Sequence, residues 1–79
     1  MPRKLNRDDS PVMKALYLYT LLLFSGRAYS QQRLAELLNC SPQSVSRYVG
    51  QMESTHLPFY ARIQHEFRGR EKYYWIAPD

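Results

Sequence analysis

Gln43, Ser44, Ser46 and Arg47 stand within one short stretch of a 79-residue chain, and their side chains suit one kind of chemistry. Gln and Arg can each make two hydrogen bonds to the flat edge of a nucleobase, Gln to adenine and Arg to guanine, while Ser can serve a base or a phosphate. A turn of 100° per residue puts Gln43, Ser46, Arg47, Gly50 and Ser54 on one side of a helix, with Val45, Tyr48, Val49 and Met52 on the other. The polar side is therefore outward. Such a face is also what an ordinary solvated helix shows, so its meaning depends on what holds the helix.

Upstream, Leu34, Leu37 and Leu38 form one stripe, and Ala35 is small enough to let a second helix cross close by. Asn39 stands where the chain must reverse, a position that favours a residue tolerant of the left-handed region. Ser41 can cap the next helix, and Pro42 at the first helical position gives up an amide that has no partner there. The spacing predicts a helix, a tight turn and a second helix over 42–55 that reads the DNA major groove. Ser41 and Gln51 are candidates for phosphate contact beside it.

Beyond it, Leu57-Pro58 favours an extended backbone. Phe59 to Gln64 and Lys72 to Ile76 read as two strands, joined through Phe67-Arg68-Gly69-Arg70 with Gly69 at a positive backbone angle. Arg68, Arg70 and Lys72 lie at or beside the tip of this hairpin, where a phosphate or the minor groove is within reach. Glu66 and Glu71 partly cancel their charge. Tyr73 and Trp75 keep base stacking on RNA as a remote reading, since one face of the strand must also serve the core.

The first helix is expected from Pro11 to about Phe24, capped by Ser10 and stopped by Gly26. It is apolar nearly all round. Val12, Ala15, Leu16, Tyr19 and Leu23 read as the inner stripe, which leaves Tyr17, Leu18, Leu21 and Phe24 as a spare face for a partner subunit or neighbouring domain. The run is too short to span a membrane and fits a signal peptide poorly.

Seventy-nine residues make one small domain, with residues 1–9 as a polar, unstructured leader, 10–77 as the folded unit and 78–79 as tail or linker. Hydrophobic residues make up 44%, enough for a core. A net charge of +4 and a pI near 9.5 favour polyanionic partners. Cys40 is the single cysteine, so no internal disulfide framework is expected and the natural setting is cytoplasmic. No cysteine or histidine spacing suggests a metal, and no phosphate loop or nucleophile elbow suggests an enzyme or a cofactor.

Residues 30–76 resemble the winged helix-turn-helix of the DeoR-like class, especially the amino-terminal domain of bacterial WYL-domain transcriptional regulators. The resemblance rests on Arg33-Leu-Ala-Glu-Leu-Leu-Asn-Cys-Ser, Ser44-Val-Ser-Arg47, Leu57-Pro58-Phe59 and Tyr74-Trp-Ile76. It implies a mainly helical fold, three helices plus a two-stranded wing, that binds double-stranded DNA as a module of a larger bacterial regulator or as a stand-alone relative, bacterial or phage. Three residues depart from the family pattern: Asn39 replaces a frequent Gly, Tyr48 a common Asp, and His56 the Gly that usually ends the recognition helix. The alternative is a winged helix used for protein–protein assembly, including a homodimer, through the apolar face of helix one.

Overall fold

The computed structural model describes residues 3–54 and 62–76. Helix α1 spans Pro11–Ser25, strand β1 Tyr29–Ser30, α2 Gln31–Leu38, α3 Pro42–Glu53, β2 Ile63–Arg68 and β3 Glu71–Ile76. Among the described residues three helices and a three-stranded antiparallel sheet thus make a small α+β domain. The expected end of α3 at residue 55, the Leu57-Pro58 corner, His56, the first half of the Phe59–Gln64 strand and the 78–79 tail lie outside the described residues.

Local chemistry sets each helix boundary. Ser10, Ser30 and Ser41 are the N-caps, each with a side-chain oxygen accepting from the backbone N–H three residues on, which satisfies one of the donors a helix start leaves open. Pro11 and Pro42 occupy first helical positions, where no amide is needed. Gly26 ends α1 at φ 63°. Asn39 ends α2 at φ 55° and is the one non-glycine residue with positive φ among those described. Around it the Cys40 N–H donates to the Ala35 carbonyl at 3.0 Å and the Asn39 N–H to the Glu36 carbonyl at 3.2 Å. This pair of bonds is the Schellman arrangement, which satisfies the last carbonyls of the helix and turns the chain toward α3.

The sheet order is β1-β3-β2, with β3 in the centre. β2 and β3 pair from Ile63↔Ile76 to Arg68↔Glu71, so the hairpin loop is only Gly69-Arg70. Gly69 has φ 67° and Arg70 does not share the positive region, the pattern of a type II′ turn. The hairpin is thus tighter than expected, and Phe67 belongs to a strand rather than the connection. β1 is a further difference: Tyr29↔Tyr74 and Ser30↔Tyr73 add a third strand that two residues of sequence do not announce.

Alternation along the strands separates two faces. Ile63, Tyr74 and Ile76 point into the core with Leu18, Leu22, Leu34, Ala35, Leu38, Val45, Tyr48 and Val49. Tyr48, on the inner side of α3, is a core residue, 4% exposed.

The faces of α1 differ from those expected. Leu18 and Leu22 are 0% exposed, and Tyr17 and Leu21 are half-buried against the core. The outward apolar side consists of Val12, Met13, Leu16, Leu23 and Phe24. Of the residues assigned to the spare face only Phe24 lies outside; Val12, Leu16 and Leu23, assigned to the inner stripe, are exposed. Ala15 and Tyr19, also assigned to the inner stripe, do pack against the core, so the helix is rotated from the expected orientation rather than turned over. Lys14 is nearly buried and directs its ammonium into the fold. Its Nζ donates to the carbonyls of Arg7 and Asn39, both at 3.3 Å. The leader, expected to be unstructured, packs here over residues 3–9: the Leu5 N–H donates to the Leu37 carbonyl at 2.8 Å, Asn39 Nδ2 to the Leu5 carbonyl at 3.4 Å, and the Tyr17 hydroxyl to the Arg3 carbonyl.

Candidate nucleic-acid interface

α3 is fixed from three directions before any side chain reaches outward. Val45, Tyr48 and Val49 bury its inner side. At its start the Ser41 hydroxyl accepts from the Ser44 N–H at 3.2 Å, and the two hydroxyls lie 3.0 Å apart. Gln31, at the head of α2, donates through Nε2 to the Pro42 carbonyl at 2.6 Å and to Ser46 Oγ at 2.9 Å. Ser46 Oγ also lies 3.3 Å from the Tyr74 hydroxyl of β3. Gln31, Ser46 and Tyr74 thus lock α2, α3 and the sheet together, a role for Gln31 that its position at a helix start did not signal.

What remains open on α3 is a polar strip. Gln43, Arg47, Gly50 and Gln51 are exposed, whereas Ser44 and Ser46 lie half-buried along its two margins. Arg47 carries the one positive charge of α3, and its guanidinium carbon sits 5.5 Å from the centre of the Tyr48 ring. That contact steadies the guanidinium itself, in a side chain that stays exposed. Gln43 and Arg47, four residues apart, fall one above the other on the strip and so present two bidentate groups side by side.

The three hairpin cations do not act from one place. Side chains of paired residues share a face, so the register puts Arg68 with Glu71 on the outer face and Lys72 with Phe67 on the inner. Arg68 Nε donates to Glu66 at 2.8 Å, and its guanidinium carbon lies 4.6 Å from the Tyr73 ring centre. Lys72 Nζ lies 5.3 Å from the Tyr74 ring centre and 5.9 Å from that of Phe67. Arg70 stands in the turn and is exposed. Tyr73 and Trp75 occupy the outer face, and the Tyr73 hydroxyl donates to Glu71 at 3.2 Å.

Cys40 sits half-buried beside the turn between α2 and α3. Burial pushes its thiol pKa up, with the charges of Lys14 and Arg47 acting in the opposite direction. Its side chain packs against the core as a small apolar group. Among the described residues no three His, Cys, Asp or Glu side chains gather in a way that could hold a metal ion, and no helix is long and apolar enough to cross a membrane.

Searches of protein-family models, curated proteins and solved structures return no match to this chain.

Proposed function

We propose that the domain is a winged helix-turn-helix that binds double-stranded DNA in a sequence-specific manner, as the DNA-binding unit of a bacterial or phage transcriptional regulator. The observation that carries this reading is the strip on α3. A capped helix is clamped on its apolar side, and its exposed side holds Gln43, Arg47, Gly50 and Gln51 between Ser44 and Ser46, with no acidic residue before Glu53. In this reading α3 lies in the major groove with Gln43 and Arg47 on base edges and Ser44 and Ser46 at the groove's margins. Ser41 and Gln51 face phosphates, and Arg70 and Lys72 neutralise the flanking backbone. The resemblance to DeoR-like domains and the net charge of +4 support the same conclusion. The role is binding rather than catalysis, in the cytoplasm where the DNA is.

The test is a mobility-shift titration at two salt concentrations with a duplex enriched from a random pool. Affinity that falls steeply with salt and a pool that converges on one motif are expected. No shift at low salt, or a pool that does not converge, refutes sequence-specific binding.

One observation favours a second reading. Val12, Met13, Leu16, Leu23 and Phe24 leave one side of α1 apolar and between 42% and 80% exposed, with no charge among them. A face of that composition suits protein–protein assembly, and in a regulator the two roles coexist.

A further inference from the structure

Beyond the Ser46–Tyr74 contact the hairpin continues outward, and its two faces differ in a way that the sequence order conceals. Glu66 and Glu71, the acids of the hairpin, both fall on the outer face through the pairs Glu66↔Tyr73 and Arg68↔Glu71. The inner face carries His65↔Tyr74 and then Phe67↔Lys72, so from Tyr74 outward it holds two aromatic rings, an imidazole and an ammonium, with no acid. This is the face that adjoins α3, because Tyr74 on it reaches Ser46. The Phe67–Lys72 pair stands one strand repeat, roughly 6.8 Å, past that contact.

Phe67 is 69% exposed. It lies beyond the core that Ile63, Tyr74 and Ile76 enter, so burial in this fold does not explain a phenyl ring there. Its ring instead sits against the Lys72 ammonium at 5.9 Å, with the Gly69-Arg70 turn as the next step of the hairpin. An apolar group bordered by cations fits a surface that is anionic at its rims and offers apolar contact between them. In the minor groove of DNA the phosphates line both edges and the deoxyribose faces form the walls, while the floor of polar base edges gives an apolar group purchase where a base step is parted. A phenyl ring is among the side chains able to part a base step there.

We propose that the inner face of the hairpin is a minor-groove contact in which Phe67 is an apolar wedge against a base step, Lys72 holds the adjacent phosphate and Arg70 reaches along the groove. This rests on the DNA-binding reading and adds to it a second sequence-sensitive contact, selective for steps that unstack easily, such as TA and CA. It also makes Phe67 a contact residue, a role that its place beside Arg68-Gly69-Arg70 in the sequence does not signal.

The test uses the whole chain and its enriched duplex, with 2-aminopurine placed in turn at each step flanking the motif read by α3. The unmodified protein should brighten the probe at one flanking step, as unstacking does. Phe67→Ala should abolish that signal and weaken binding by about tenfold or more, while a fresh enrichment returns the same central motif. Phe67→Leu should retain most of the signal, since an apolar wedge need not be aromatic. Because the ring is exposed, circular dichroism of both variants should match the parent. If the parent binds its duplex but brightens no probe, or if Phe67→Ala binds and brightens like the parent, the wedge is wrong and the α3 reading stands. If the parent binds no duplex, both fail together.

Discussion

Arg47 and Lys14 carry the same charge to opposite ends. Arg47 lies on the open strip of α3 with its guanidinium outside the fold, so truncation should leave stability alone and act on recognition. Arg47→Ala is expected to weaken specific binding by about 1–3 kcal/mol and relax selection at one base position. An enriched motif of unchanged information content would remove Arg47 from the base readers. Lys14 is 7% exposed and its ammonium serves two carbonyls, one on the leader and one, Asn39, at the carboxyl end of α2, where the helix dipole also favours a cation. Lys14→Met keeps the stem but orphans both acceptors, and should lower the unfolding free energy by about 1–3 kcal/mol in a urea titration. A midpoint within error of the parent would show that water serves those carbonyls equally well. Asn39, Ser41 and Gly69 were legible from sequence because their roles depend on their own backbone angles or on the next three residues. Lys14 was not: nothing local distinguishes an ammonium headed for solvent from one headed for two carbonyls.

At the scale of elements, legibility followed periodicity. α2 and α3 have polar and apolar sides that a 100° rotation separates, and the residues read as their inner faces are those that pack. α1 offers no such contrast, being apolar nearly all round, so its orientation is set by which face α2, α3 and the sheet leave available. The corrected faces make a direct comparison possible. Leu18→Ala, at a fully buried position, should cost about 2–5 kcal/mol, while Leu16→Ala, 59% exposed, should stay within about 0.5 kcal/mol. Thermal melts decide it, and equal shifts would contradict the burial described. Leu16 and Phe24, not Leu18 and Leu21, are then the positions at which Gln should reduce any self-association. The hairpin is tighter than its sequence suggests, and β1 is not legible there because two residues carry no pattern. That tight register divides the cations: Arg70→Ala and Lys72→Ala should each reduce the slope of log affinity against log salt by about 0.9. Arg68→Ala, on the outer face and paired with Glu66, should change it little. A larger effect from Arg68 would mean that the outer face meets the DNA.

For the molecule as a whole, the order of the sheet has a consequence in time. β3 is the last of the described elements in sequence and the central strand in space, flanked by β1, some forty residues earlier, and by β2. As the chain leaves the ribosome, α1, α2 and α3 emerge first, yet Tyr74 and Ile76, which sit among their buried side chains, are added only after all three. The helices have an incomplete core until then, and β1 and β2 lack the strand that both pair with. Folding should therefore wait until synthesis passes residue 76 and come as one late event, governed by the closure of a long loop rather than by the fast local turns. A chain stopped after Arg70 should show reduced helical ellipticity and no cooperative melt. A sharp thermal transition in that fragment would mean that the three helices suffice on their own, and that the final strand is added to a structure already made.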